Sequence, residues 1–298
     1  MRALVVGGAG FIGSHLCDRL LAEGSTVDVV DDLSTGTLAN LATARASLSG
    51  EFRFHHLDVR STEFGDLVVR RAPEVVYVLV QPMDSMRAAF DLAVGGVINV
   101  LDAAVRNRVA KVVVGLKASQ LFGPVSQREL PLREAHPLMP VSAVGLAQRS
   151  ALDVLAHYRQ LHGQEFTALA LSSVFGPRQR VGVVAEFLRA RTAGTPLVVH
   201  GDGRQTRDLL FVDDAVDAFV RAASRGGGQM FNVGTGVQTA IRDLAGSMRR
   251  DDSPEVEHSA VRPTEIGRFA LSSVRARIHL AWAPWTALNE GLELIDRV

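Results

Sequence analysis

Seven residues near the amino terminus, Gly7-Gly8-Ala9-Gly10-Phe11-Ile12-Gly13, have the composition and spacing to hold a pyrophosphate. The glycines permit a tight turn and close backbone approach, and a helix starting there offers its amino terminus to an anion. Asp31 closes the next apolar run, eighteen residues after Gly13. A carboxylate at that place accepts both ribose hydroxyls of NAD and repels a 2′-phosphate. Groups for proton transfer are much scarcer. The chain has two tyrosines, Tyr77 and Tyr158, and two lysines, Lys111 and Lys117, and four residues past the tyrosines stand Gln81 and His162. A phenol at its ordinary pKa of about 10 is a poor base at neutral pH without a cation beside it. No histidine or carboxylate cluster has metal-ligand spacing, so no metal is expected.

The elements that must position these groups follow from periodicity. Strand candidates are 2–6, 27–31, 53–57, 75–80 and 111–116, and helical patterns occupy 11–23, 85–107 and 144–162. Strands that are apolar throughout are buried on both faces, which implies a parallel sheet covered by helices. The expected fold is therefore α/β: a doubly wound parallel sheet (Rossmann) with its ligand crevice at the carboxyl ends of the strands. After about residue 173 the rhythm loosens into turn-rich pieces such as Gly201-Asp202-Gly203 and Gly226-Gly227-Gly228. We expect an NAD-binding domain over 1–173, to which 206–234 returns, and a smaller substrate-binding lobe within 174–298.

At 298 residues the chain can bury a large core, and 47% hydrophobic with 21% charged residues suits a folded soluble protein. Lys+Arg and Asp+Glu both count 32, so no net field favours nucleic acid or an anionic membrane. The chain opens directly on a strand, and no apolar run approaches the ~18 residues of a membrane span, so a cytoplasmic location is expected. The single cysteine, Cys17, reads as a small buried hydrophobe in the first helix.

Several stretches carry a resemblance. Gly7 to Leu16 reads Gly-Gly-Ala-Gly-Phe-Ile-Gly-Ser-His-Leu, and 30–36 reads Val-Asp-Asp-Leu-Ser-Thr-Gly. Further on stand Leu57-Asp58-Val59-Arg60, Val174-Phe175-Gly176-Pro177-Arg178-Gln179, Gly201 to Asp208 followed by Val212-Asp213-Asp214, and Phe231-Asn232-Val233-Gly234. Together these resemble the extended short-chain dehydrogenase/reductase family of NAD-dependent nucleotide-sugar epimerases and dehydratases, over nearly the whole chain. The resemblance implies that Gly7, Gly10, Phe11, Ile12, Gly13, Asp31, Asp58 and Val59 bind NAD, with Asp58 at the adenine. It implies further that Ser173, Arg207 and Arg262 face a UDP- or dTDP-linked sugar.

The same resemblance places a Ser/Thr, a tyrosine and a lysine four residues after it at the reacting centre, and this chain has none of the three there. Ala118 takes the hydroxyl position; Ser119, one residue later, would point the other way on a strand. Val144 and Gln148 take the tyrosine and lysine positions in one register, Val141 and Gly145 in a register three residues earlier. Val78-Leu79-Val80-Gln81 replaces a segment with two small alanines, and Ala93 replaces an asparagine. Losing a positioned acid/base costs ~10²–10⁴ in rate, about 3–5 kcal/mol of barrier. Lys117, at the end of the fifth strand, is the candidate substitute; His136 is a weaker one, and His55 and His56 read as a structural pair. In active relatives the helices matching 85–107 and 144–162 pair two subunits. Small residues there (Ala88, Ala89, Gly95, Gly96, Ala103, Ala104, Ala147, Ala151) imply a homodimer, or a heteromer with an active paralogue.

Overall fold

The computed structural model describes residues 1–80, 85–249, 254–261 and 266–296. Six segments, all but β3 mostly apolar, form the strands β1 (Arg2–Val6), β2 (Thr26–Asp31), β3 (Phe52–His56), β4 (Val75–Val78), β5 (Lys111–Lys117) and β6 (Phe166–Leu171). Between them lie α1 (Phe11–Ala22), α2 (Ala42–Ala46), α3 (Glu63–Arg71), α4 (Met86–Phe90), α5 (Val97–Arg106), α6 (Ala118–Phe122) and α7 (Ala143–His162). Beyond β6 come β7 (Ser173–Phe175), α8 (Val183–Ala193), β8 (Val198–His200), β9 (Thr206–Arg207), β10 (Leu209–Phe211), α9 (Val212–Ala222) and β11 (Gln229–Val233).

The main sheet has seven parallel strands in the order β11-β6-β5-β4-β1-β2-β3. From β1 the chain runs outward one way through β2 and β3, then returns to place β4 on the other side. That reversal opens a crevice at the carboxyl ends of β1 and β4. One face of the sheet buries Val5, Val29, Val113 and Leu169 with Leu16, Leu20 and Phe219 of α1 and α9. The other buries Leu4, Val76, Val112 and Val114 with Val97, Leu101, Ala151 and Leu155 of α5 and α7. Helices thus cover both faces, as the unbroken apolar strands require. The later strands β7 and β10 pair in parallel, and β11 joins β6 at the sheet edge.

Two helices depart from the sequence expectation, and the strands β6 and β11 lie outside the expected set. Helix α3 has only nine residues, and its apolar positions Phe64, Leu67 and Val68 are too few to stand out as a period. The helix expected over 85–107 is interrupted: α4 passes into a π-helical stretch, Asp91–Gly96, before α5. Counted whole, Met86–Arg106 has 21 residues with an 18-residue window of mean hydropathy 1.6, enough by length and composition to cross a membrane. Asp91 and Asp102 hide this in a search for uninterrupted apolar runs. In the fold it is a core helix, with Ala89, Val97, Val100 and Leu101 buried. Some of the small residues expected at a subunit contact are spent within the chain, where Ala89, Ala93 and Ala147 form one buried cluster.

Both tyrosines are held by this architecture. Tyr77 is fully buried in β4, and its Oη has no hydrogen-bond partner among the described residues. Tyr158, on α7, donates to Asp102 Oδ1 at 2.8 Å. Burial, then the hydrogen bond to Asp102 and its charge, push the Tyr158 phenol up to about 12. Burial moves Tyr77 upward as well. Two outcomes are expected. Tyr77→Phe removes an unsatisfied hydroxyl and should leave the unfolding free energy unchanged or raise it by about 1 kcal/mol, read by denaturant unfolding. In a titration followed by tyrosinate absorbance, neither phenol should ionise near pH 10. The Tyr158–Asp102 bond is intact below the unfolded phenol's pKa, so its contribution to stability is lost as pH rises from about 10 through about 12.

Candidate functional site

The turn between β1 and α1 is built by contacts that exclude side chains. Gly7 has φ +79°, and a Cβ on it would sit 2.8 Å from the Leu79 backbone. A Cβ on Gly13 would lie 2.3 Å from Gly7 O, so the first turn of α1 packs directly on the end of β1. Gly10 caps the helix with no side-chain cap, and no acidic residue stands in its first turn. The N–H groups of Phe11, Ile12 and Gly13 therefore have no helical acceptor and converge on the space over Gly10.

Asp31, at the end of β2, is buried and faces this turn. Its Oδ2 accepts the Ala9 N–H at 2.9 Å and its Oδ1 the Leu33 N–H at 2.8 Å. Burial raises its pKa, and the two backbone bonds oppose that rise. Each oxygen keeps lone-pair capacity for a ribose hydroxyl. The carbonyl of Ala9 is held from the other side by the Thr37 N–H (3.1 Å) and Asn40 Nδ2 (2.9 Å). Asn40 is a residue that sequence reasoning missed, since a lone asparagine in a turn-rich stretch has no spacing signature. The cradle fits a pyrophosphate flanked by a ribose, as NAD requires. Beyond β3, Asp58 takes a bidentate contact from Arg60, with Nη2 to Oδ2 at 2.5 Å, and Val59 is buried beside it.

Of the positions expected at the reacting centre, Ala118, Val144 and Gln148 are all buried. Ala118 is fully buried and opens the helical turn α6, so Ser119 follows a helix and not a strand, which corrects the alternation argument. Gln148 is buried on α7, and its Oε1 accepts the Lys117 N–H at 3.3 Å, so the lysine position of the first register is tied to the end of β5. Val144, one turn earlier, is also buried. In the other register Val141 is 79% exposed, and a Cβ on Gly145 would meet Gln120 O at 2.0 Å. A lysine at 145 would require α7 to move away from α6. Ser142 caps α7 by accepting the Gly145 N–H and donates to Gln120 Oε1 at 2.5 Å. Tyr158 stands fourteen residues after Val144, about 21 Å along the helix.

Lys117 is exposed at the carboxyl end of β5. His136 Nε2 lies 4.0 Å from Glu129 Oε1, and its ring packs near Phe122. His55 and His56 are not paired with each other. His55 Nε2 lies 2.8 Å from Asp28 Oδ1, which also accepts Arg71 Nε, and His56 Nε2 meets Asp32 O. Strand alternation turns the two rings apart. No group of His, Cys, Asp or Glu able to hold a metal occurs among the described residues.

Beside Arg207, Asp208 gathers the chain. Fully buried, it accepts the Thr235 N–H and Oγ1–H on Oδ1, and the Gly236 and Leu271 N–H groups on Oδ2, at 2.7–3.0 Å. Burial raises its pKa against those four bonds. The Asp208 carbonyl accepts the Ser173 N–H at 2.9 Å, which brings Ser173 next to Arg207. Arg207 Nη1 donates to Thr206 O and Ile266 O. Arg262 and Gln81 lie outside the described residues.

Known proteins share both the sequence and this geometry. The model of the NAD dependent epimerase/dehydratase family matches residues 3–234. A UDP-glucose 4-epimerase of Mycolicibacterium smegmatis is 39% identical over 307 residues, covering 98% of this chain and 96% of that protein. The UDP-glucose 4-epimerase of Thermotoga maritima, solved with UDP-glucose, superposes with a TM-score of 0.92 at 29% identity, covering 100% of this chain and 98% of that one. The Thermus thermophilus UDP-glucose 4-epimerase, in complex with NAD, gives a TM-score of 0.88 at 29% identity over 99% and 97% of the two chains. The chain thus belongs to the NAD-dependent epimerase/dehydratase family, with NAD as its cofactor.

Proposed function

We propose that this protein binds a UDP- or dTDP-linked sugar beside NAD, as a divergent nucleotide-sugar epimerase or dehydratase without the usual tyrosine–lysine proton relay. The observation that carries this reading is the contrast between the two ends of one cleft. The cofactor cradle and the Ser173–Arg207–Asp208 junction are intact, whereas Ala118, Val144 and Gln148 fill the place of the acid/base set. The solved relatives that hold UDP-glucose or NAD support the ligand class. Bound NAD supplies a hydride acceptor. What the chain must add is a group to take the hydroxyl proton, and Lys117 is the candidate nearest the end of β5. The expected domains are 1–173 with 206–234 for NAD, and the remainder of 174–298 for the sugar nucleotide. A cytoplasmic homodimer is the expected setting.

A second reading has its own support. Gln148 is committed to the Lys117 backbone, and Gly145 brings α7 against α6, so the acid/base place is packed and not merely substituted. Under that reading the protein is catalytically silent, binds NAD or a nucleotide sugar, and serves as a regulatory or partner subunit, including as a heteromer with an active paralogue.

Incubation of the purified protein with NAD and a panel of UDP-, dTDP- and GDP-sugars, followed by chromatography with mass detection, separates the two. A new epimer or keto-sugar is expected on the first reading; an unchanged panel with NAD bound in the same samples supports the second. Where turnover occurs, Lys117→Ala should lower it by ~10²-fold or more while NAD affinity holds, and unchanged turnover would remove Lys117 from the mechanism. Sedimentation should give twice the 32.0 kDa chain mass; a strict monomer would count against both the dimer and the subunit role.

A further inference from the structure

The dinucleotide's pyrophosphate belongs at the amino terminus of α1 and its ribose at Asp31, the end of β2. The base then arrives at the end of the next strand outward, β3, where residues 57–61 turn toward α3. This turn lies beyond the sheet ladder, since β3 stops at His56. Its chemistry is that of a base reader. Asp58 offers carboxylate acceptors, kept ionised by Arg60, whose backbone N–H and Nε reach Oδ1 while Nε and Nη2 reach Oδ2. Val59 adds a backbone N–H. An acceptor next to a donor complements the 6-amino group and N1 of adenine, and opposes the O6 and N1–H of hypoxanthine.

The turn is fastened from behind by one side chain on α5. Asn99 Nδ2 donates to Val59 O at 2.6 Å and to Ser61 O at 3.0 Å, using both of its amide hydrogens. The Val59 carbonyl stands between β3 and α3, and that of Ser61 also accepts the Phe64 N–H of the first turn of α3 at 3.2 Å. The π-helical stretch Asp91–Gly96 precedes Asn99, and its last residue touches the same turn. A Cβ on Gly96 would lie 3.1 Å from Val59 Cγ1 and 4.0 Å from Arg60 Cγ. Such an irregular turn inside a helix commonly marks a functional site. Resting on NAD as the ligand, we propose that Asn99 is a positioning residue for adenine, holding the Asp58–Ser61 turn in the register that reads its 6-amino group.

Equilibrium binding to the full chain tests this, with NAD, its hypoxanthine analogue and nicotinamide mononucleotide as probes. Wild type should prefer NAD to the hypoxanthine analogue by about tenfold or more, since mismatched donors and acceptors leave buried groups unpaired. Asn99→Ala should bring that ratio to within about twofold, with the affinity for nicotinamide mononucleotide unchanged. Should that variant fail to fold, Asn99→Asp, which keeps the shape but loses the donors, should show the same loss of discrimination. A variant that weakens both dinucleotides equally and keeps the wild-type ratio overturns the proposal and leaves Asn99 a structural residue. Wild type binding both dinucleotides alike would overturn it too, while leaving NAD as the ligand. Wild type binding neither would sink the NAD reading itself.

Discussion

The contact of Gly13 with the carbonyl of Gly7 is the constraint from which the cofactor end follows. A side chain at 13 would need to occupy the same space as that oxygen. Its absence lets α1 start directly over the end of β1, with its first N–H groups unspent. Asp31 and Asn40 then grip Ala9 from two sides, so the turn between those glycines is set before any ligand arrives. Such preorganisation lowers the ordering cost of binding. It depends on β2 lying beside β1, which the parallel ladder enforces residue by residue.

The opposite end of the cleft is organised by the same kind of close approach, with a different result. Gly145 and Gly123 bring the entry to α7 against α6 and the loop before it, each with a carbonyl about where a Cβ would be. Gln148 completes the contact by accepting the Lys117 N–H. Amide, methyl and isopropyl groups can pack and hydrogen-bond there, but none can carry a proton at neutral pH. Close backbone approach and one amide contact thus fix α7 against α6 and the end of β5.

Between these ends, Asp208 joins three pieces of chain that are far apart in sequence. Four hydrogen bonds offset the cost of burying its carboxylate, and its own backbone positions Ser173. Ser173 is thus referenced to the main sheet through β11 and the Gly234–Gly236 turn. Arg207, its neighbour, is held against the 266 segment by two carbonyl contacts.

The sequence by itself determined the fold class, five of the sheet's seven strands and the glycine turn, because each leaves a local signature: apolar runs bounded by turns, and glycines at fixed spacing before a helix. It also determined that no tyrosine has a lysine four residues on, since that is a matter of counting. Strand-like alternation failed at Ser119, because whether β5 continues or coils into α6 depends on what packs on Ala118. The π stretch before Asn99 was equally hidden, since an extra residue in a helical turn leaves the apolar pattern nearly intact. Only the tertiary structure could show that Asn40 holds Ala9, that Asn99 holds the turn after β3, and that Gln148 caps the end of β5. Each of those bonds joins residues about thirty or forty positions apart, and polar side chains acting across such distances carry no period for the sequence to display.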